Sequence, residues 1–175
     1  VRRYPWHEFQ HFLGTEIIFC HFGLMDYATA KRKAEAYCAY QERSQQEVRD
    51  KLYGWGLHAS EVESLIADLI AENFLNEERF ALAFAAGHFR MKGWGRYRIK
   101  QGLVQKSVSP PLVRAALASL DEQEYKEKLE AVLQKKSRLL KEADPLKRKN
   151  KLYRYALHKG YESELILDLL SNNDL

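Results

Sequence analysis

Apolar positions recur along the chain at steps of three and four residues, separated by polar positions. One such stripe comprises Val62, Leu65, Ile66, Leu69 and Ile70. This spacing places apolar side chains on one face of an amphipathic helix. Alternation with a period of two, which indicates a half-buried strand, is scarce. The pattern therefore predicts an all-α fold.

Polar residues and glycines mark where these helices begin and end. Ser44–Glu47 and Ser60–Glu63 have the spacing of a capping box, in which a hydroxyl and a carboxylate satisfy free backbone N–H groups. Further N-cap candidates are Asn76, Ser109, Asp121 and Asp144. Glycines at predicted helix ends are Gly54, Gly56, Gly93 and Gly160.

The apolar pattern also repeats about every fifty residues, which indicates a helix, a tight turn and a second helix in each unit. The three matching series are Val48, Leu52, Leu57, Val62 and Ile66; Ile99, Leu103, Val108, Val113 and Leu117; and Leu152, Ala156, Tyr161, Ile166 and Leu170. A further helix is predicted before each pair, at about 29–42, 77–91 and 122–142.

These units predict three tandem three-helix repeats, at residues 28–74, 75–120 and 121–175, the last two of them basic. Modules this small bury little apolar surface alone and lean on their neighbours, so we expect an elongated, curved array. Residues 1–27 form an N-terminal extension. We expect residues 1–24 to pack weakly and to come from an upstream start, because Met25 lies just before the first repeat.

Composition narrows the class of protein. The chain is 46% hydrophobic and 30% charged, as in an ordered globular protein. No apolar run approaches the roughly 20 residues that span a bilayer. Two cysteines, Cys20 and Cys38, form no disulfide framework, which favours a reducing compartment. We expect a cytoplasmic monomer that does not bind membranes. Residues His7, His11, Cys20 and His21 match no zinc-binding spacing, so no metal site is predicted.

The net charge of +4 conceals two basic windows. Residues 79–120 contain no carboxylate and carry a net charge of +8, and residues 135–159 also carry +8. Such blocks create a local positive potential suited to a polyanion. The alternative is that these side chains only solvate helix faces.

Residues 90–100 combine basic and aromatic side chains where one helix ends and the next begins. Arginine and lysine beside Trp94 and Tyr97 suit phosphate contact, and a free helix N-terminus after Gly95 adds a preference for anions. Trp94 could equally pack between helices. The candidate contact residues for a polyanionic partner are Arg90, Lys92, Trp94, Arg96, Arg98, Lys100, Lys106, Lys147, Arg148, Lys149, Lys151 and Arg154.

No carboxylate is expected beside this turn. Replacing Arg96, Arg98 and Lys100 by glutamine should therefore preserve the fold and weaken salt-dependent binding.

No catalytic pattern is present in the sequence. Nucleophile elbows, phosphate-binding glycine loops and H-E-x-x-H are all absent. Glu77 and Glu78 are better explained as first-turn residues that complement a helix dipole than as an acid–base pair. A nuclease would need clustered carboxylates for metal ions. We therefore predict a protein that is not an enzyme and has no cofactor.

Three segments resemble the RecX family of bacterial regulatory proteins. They are residues 44–57, 74–84 and 93–103, within a similarity that runs from about 28 to 170. The resemblance implies tandem three-helix repeats that lie in the groove of the RecA–DNA filament. Such proteins usually suppress strand exchange and ATP hydrolysis by RecA, in DNA repair, recombination and the SOS response.

Two features depart from the family's usual pattern, namely Gly102 and the aromatic, histidine-bearing extension before Met25. Gly102 replaces what is more often a glutamate in the family, and a glycine inside a helix costs about 1 kcal/mol relative to alanine. The alternative function is a stand-alone protein that binds single- or double-stranded DNA through helix-turn-helix units. The chain lacks an obvious base-reading helix, which weighs against sequence-specific binding.

Overall fold

The computed structural model describes residues 25–172, and within that range the chain is helical with no strand. The nine helices of this described range are α1 (Tyr27–Tyr40), α2 (Gln45–Gly54), α3 (Ala59–Ala71), α4 (Glu77–Lys92), α5 (Arg96–Gln105), α6 (Pro110–Ala118), α7 (Glu122–Leu139), α8 (Pro145–Lys159) and α9 (Ser163–Asn172). They follow one another as three groups of three, so the predicted all-α class is confirmed. The expectations for residues 1–24, including the histidines of the extension, lie outside the described residues.

Most predicted helix starts are confirmed, and one is wrong. The capping box at Ser44 is present, since the Ser44 N–H donates to Glu47 Oε2 and the Glu47 N–H donates to Ser44 Oγ, both at 3.1 Å. The box predicted at Ser60 is absent, because α3 begins two residues earlier than that prediction, with His58 as its N-cap. Its closing bond runs from the His58 N–H to Glu61 Oε2, at 2.9 Å. Glu63 instead pairs with Arg49 at 2.7 Å.

The first repeat has a hydrophobic core of its own, formed by α1, α2, α3 and the turn that follows. Its buried members are Ala30, Ala34, Cys38, Val48, Leu52, Leu57, Val62, Leu65, Ile66, Leu69 and Leu75. Burial raises the pKa of the Cys38 thiol to about 11. That side chain is therefore a core residue and not a reactive thiol at neutral pH.

The second and third repeats share one core. Three fully buried rings run through it, with centroids 5.8 Å apart for Phe89 and Tyr125 and 5.1 Å apart for Tyr125 and Tyr161. Aromatic pairs at this separation stabilise beyond the area that they bury. Repeats two and three therefore form a single packed body.

The first repeat is joined to this body by polar contacts. Arg79 of α4 pairs with Glu42, and Lys106 pairs with Glu47 at 2.7 Å. Arg79 also donates to the carbonyl oxygen of Asn73 at 3.2 Å. The two cores have no buried member in common among the described residues. The connection between repeat one and repeat two therefore depends more on charge than the connection between two and three.

Candidate polyanion-binding surface

The basic turn of the second repeat forms the joint between the second and third repeats. The Gly95 N–H donates to the Lys159 carbonyl at 2.9 Å, and the Tyr97 N–H donates to the Gly160 carbonyl at 3.0 Å. A Cβ atom at Gly95 would lie 2.3 Å from the Gly160 carbonyl carbon. The start of α5 is thus pressed against the end of α8, and only glycine fits there.

The predicted free N-terminus of α5 is wrong. The Arg96 N–H donates to the Tyr125 hydroxyl at 2.9 Å, and that hydroxyl donates to Glu162 Oε2 at 2.8 Å. The backbone N–H groups of Gly95, Arg96 and Tyr97 therefore all donate to acceptors within the protein. No anion is needed to satisfy them.

The expectation of no carboxylate beside this turn is also wrong, because carboxylates come from the third repeat. Arg96 pairs with Glu122 at 2.5 Å and with Glu162 at 3.6 Å, and its guanidinium lies 4.1 Å from the centre of the Tyr125 ring. Arg90 pairs with Glu124 at 3.2 Å. Arg96 is therefore held as an inter-repeat contact.

Trp94 is half-buried against the shared core. Its ring centroid lies 4.4 Å from that of His88, and the Arg98 guanidinium lies 4.5 Å from the Trp94 ring centre. Arg98 also donates to the His158 carbonyl at 3.2 Å. Of the two possibilities for Trp94, packing between helices accounts for these contacts.

The same aromatic group explains the glycine inside α5. A Cβ atom at Gly102 would lie 2.7 Å from Cζ of Phe84 and 3.6 Å from the Trp94 ring. The rings of Phe84 and His88 are in turn stacked, with centroids 3.9 Å apart. The Phe84 ring thus occupies the space that a larger side chain at position 102 would need.

Three further candidate residues have internal partners. Lys106 pairs with Glu47, as described above, and Lys151 pairs with Glu142 at 2.7 Å. The hydrogen bond from Lys151 is the main reason that the pKa of the Glu142 carboxyl is lowered. Arg148 donates to the carbonyl oxygens of Leu140 at 3.1 Å and Ser137 at 2.8 Å, which fixes the loop between α7 and α8.

The other candidate side chains are more available for binding. Lys100, Lys149 and Arg154 are exposed and make no ion pair among the described residues. Lys147 is exposed and lies 3.8 Å from Asp144, and Lys92 is exposed at the end of α4. Lys147, Lys149 and Arg154 all belong to α8.

The structure also brings one candidate residue, Lys92, together with three lysines that were not among the candidates. These four surround an open cleft of about 230 Å³ between the end of α4, α7 and α8, and we call it the lysine cleft. Its lysines are Lys92, Lys128, Lys135 and Lys159. A second cleft, of about 410 Å³, lies on the other side of Tyr155 and is lined by Lys136, Lys151, Arg154 and His158.

A signal for the lysine cleft existed in the sequence. Lys128, Val132 and Lys135 lie four and three residues apart, so they share one face of α7. Lys135 and Lys159 are also the two ends of the second basic window. Nothing in the sequence, however, places this face beside the end of α4, which contributes Lys92.

Between residues 25 and 172, no three histidine, cysteine, aspartate or glutamate side chains are grouped to hold a metal ion. Over the same range, no helix is long and apolar enough to cross a membrane.

Comparison with protein families matches all three repeats. Models of the first, second and third three-helix domains of RecX match residues 30–69, 76–117 and 122–170. The crystal structure of RecX from Lactobacillus salivarius aligns with a TM-score of 0.74 at 23% identity, covering 83% of this chain and 94% of that one. That similarity shows a shared fold.

Two curated relatives, both named Regulatory protein RecX, are similar in sequence. One, from Clostridium botulinum (strain Eklund 17B / Type B), is 34% identical over 130 residues, covering 73% of this chain and 60% of the relative. The other, from Prosthecochloris aestuarii, is 31% identical over 145 residues, covering 83% of this chain and 93% of the relative. The chain thus spans about three-fifths of the clostridial protein.

Proposed function

Since this chain belongs to the RecX family, we propose that it binds the helical filament that RecA forms on DNA and modulates it. The expected direction is inhibition of recombinase and ATPase activities in DNA repair, recombination and the SOS response. The observation that carries this proposal is the match of all three RecX domains, in order, to residues 30–170. The curated relatives are named regulatory proteins, and we propose a cytoplasmic monomer without catalytic activity.

The mechanism that we propose is steric and electrostatic. A row of helical repeats that contacts successive RecA subunits would hold the filament in one conformation and slow its cycle of ATP turnover. Exposed cations that suit such a contact lie on α8, namely Lys147, Lys149 and Arg154. Arg96, at the start of α5, instead stabilises the protein's own structure, so we assign the filament contact to these exposed residues of α8.

The experiment is ATP hydrolysis by RecA on single-stranded DNA, with this protein added below the RecA concentration. Strong inhibition supports the proposal. Binding to bare DNA without any effect on RecA would favour the stand-alone DNA-binding alternative. Cleavage of the DNA that depends on a divalent metal would contradict a non-enzymatic function.

A pair of variants locates the contact. Lys147→Gln with Lys149→Gln removes two exposed charges from α8 and should weaken inhibition and its dependence on salt. Lys33→Gln with Lys126→Gln is the matched control, since it removes the same charge from two exposed positions on α1 and α7. Equal inhibition by the two double variants would mean that this part of α8 is not the contact.

A further inference from the structure

The lysine cleft is lined by four positive charges and by no negative charge. Lys92, Lys128, Lys135 and Lys159 surround it, and its other lining side chains are Met91, Ala131, Val132 and Tyr155 with the backbone of Gly93. None of the residues that line it carries a carboxylate. Glu124, one turn before Lys128 on α7, is already paired with Arg90.

Two of these lysines have a structural role that leaves them free to bind. The Lys128 Nζ donates to the Arg90 carbonyl at 2.6 Å, and the Lys159 Nζ donates to the Lys92 carbonyl at 3.0 Å. These bonds satisfy two of the last four carbonyls of α4. An ammonium has three donors, so each lysine is held in place with donors to spare. Such preorganisation reduces the entropy lost when a ligand binds.

The side chains of the remaining two lysines, Lys92 and Lys135, bond no backbone carbonyl of α4. Lys135 makes no hydrogen bond or ion pair among the described residues, and Lys92 approaches only the side chains of His88, at 3.3 Å, and Trp94. The pKa of Lys159 is lowered by burial and by the nearby charges of Arg98 and Lys135. The charged form of Lys159 is therefore disfavoured in the free protein, and a bound anion would stabilise it.

The chemistry of the two clefts favours a phosphate polymer. Every strongly basic group of the lysine cleft is a lysine, a compact point charge suited to single phosphate oxygens. The second cleft continues the positive surface beyond Tyr155, whose ring lies 5.1 Å from Lys136 Nζ and 5.7 Å from Lys159 Nζ. Two adjacent basic clefts suit a ligand with regularly spaced charges along its length.

We propose that the lysine cleft binds the phosphodiester backbone of nucleic acid, with the second cleft following the same strand past Tyr155. This deepens the proposed function, because it names the DNA of the filament, and not only the protein, as a direct contact. It also places that contact on the third repeat and the end of α4. The contact needs no sequence readout, since the groups involved are ammonium donors.

The test uses the whole chain and a fluorescent oligothymidylate, without RecA. We expect Lys92→Gln with Lys135→Gln to weaken binding by about tenfold or more near 0.1 M salt. The slope of log affinity against log salt should fall by about 1.4, since two fewer counterions are released from a single strand. Lys33→Gln with Lys126→Gln, which removes the same charge elsewhere, should change affinity by less than about threefold. Circular dichroism of both variants checks that the fold is intact.

Three results would overturn the inference. One is an unchanged affinity in the Lys92 and Lys135 double variant, and another is an equal loss in both double variants. The third is displacement of the oligonucleotide by polyglutamate as readily as by unlabelled oligothymidylate, which would indicate an acidic protein partner. Because no RecA is present, each of these leaves the proposed regulation of RecA standing. Conversely, tight oligonucleotide binding without any effect on RecA would overturn the proposed function alone.

Discussion

At the scale of single residues, two glycines determine how closely the second and third repeats approach. Gly95 and Gly160 lie backbone to backbone, and a Cβ atom at Gly160 would be 2.5 Å from the Arg98 amide nitrogen. Gly160 also has a φ of +93°, which favours glycine. The close approach permits the hydrogen bonds that join α5 to the end of α8.

A substitution tests this joint. We expect Gly95→Ala to reduce the free energy of unfolding by more than about 2 kcal/mol, because the added methyl group meets backbone that cannot move aside. Gly54→Ala is the control, since nothing lies within 4 Å of its Cβ position, and it should be neutral or stabilising by about 0.5 kcal/mol. Urea denaturation followed by circular dichroism measures both. A similar effect of the two changes would contradict the close packing.

Arg96 is a basic residue whose contacts within the protein give it a structural role. Its side chain is 23% exposed, pairs with two carboxylates and lies over the Tyr125 ring. We expect Arg96→Gln to cost about 1–2 kcal/mol of stability, whereas Lys100→Gln should stay within about 0.5 kcal/mol. The structure thus corrects the expectation that Arg96, Arg98 and Lys100 can all be replaced by glutamine without loss of stability. Equal thermal stability of the two variants would contradict the structural role of Arg96.

His88 should make stability depend on pH. Burial, and secondarily the Lys92 ammonium, lower its pKa below the ordinary 6.5. The unfolded chain then binds a proton more readily than the folded one, so this contribution is fully present above pH 6.5 and is lost as the pH falls. Between pH 6.5 and about 5, the free energy of unfolding should decline more in the parent than in His88→Gln. Parallel declines would show that His88 titrates normally.

At the scale of helices, the two separate cores imply that repeat one is attached less strongly to repeat two than repeat two is to repeat three. Repeat one packs around its own buried residues, whereas the Phe89, Tyr125 and Tyr161 rings join repeats two and three. The ion pairs of Arg79 and Lys106 that attach repeat one are partly exposed, and such pairs contribute little and are screened by salt. Opening of α1–α3 should therefore not require opening of α4–α9.

Hydrogen exchange measures this difference. We expect the core amides of α1–α3 to exchange through openings of lower free energy than those of α4 and α7. Added salt should increase the difference, because it weakens the ion pairs between repeats one and two. A single opening free energy throughout the described helices would instead mean that the three repeats unfold as one unit.

At the scale of the whole molecule, the order of the repeats predicts an extended shape. Repeats that contact mainly their neighbours in sequence form a row, as the sequence periodicity indicated. We expect small-angle X-ray scattering to give a radius of gyration clearly above the roughly 16 Å of a compact protein of 175 residues. A value at that compact limit would contradict an extended array and with it the binding of successive RecA subunits.

Local order could be predicted from the sequence, because it depends on residues a few positions apart. The spacing of apolar residues determined the helices and their grouping in threes, and the caps at Ser44, Asn76, Asp121 and Asp144 marked where helices begin. The family resemblance rested on the same short segments. One register error, at Ser60, arose because the helix begins two residues earlier, so that Glu61 closes the cap and Glu63 is left to pair with Arg49.

Only the tertiary structure decided which charged side chains are paired within the protein and which are exposed for binding. Arg96 lies 26 residues from Glu122 along the chain, yet the two side chains are 2.5 Å apart. Residues 79–120 contain no carboxylate, but the folded protein places carboxylates of the third repeat beside them. The lysine cleft likewise draws on α4, α7 and α8. Periodicity shows which face of a helix is polar, but ion pairs and clefts depend on which helices meet, and that follows from how the repeats pack together.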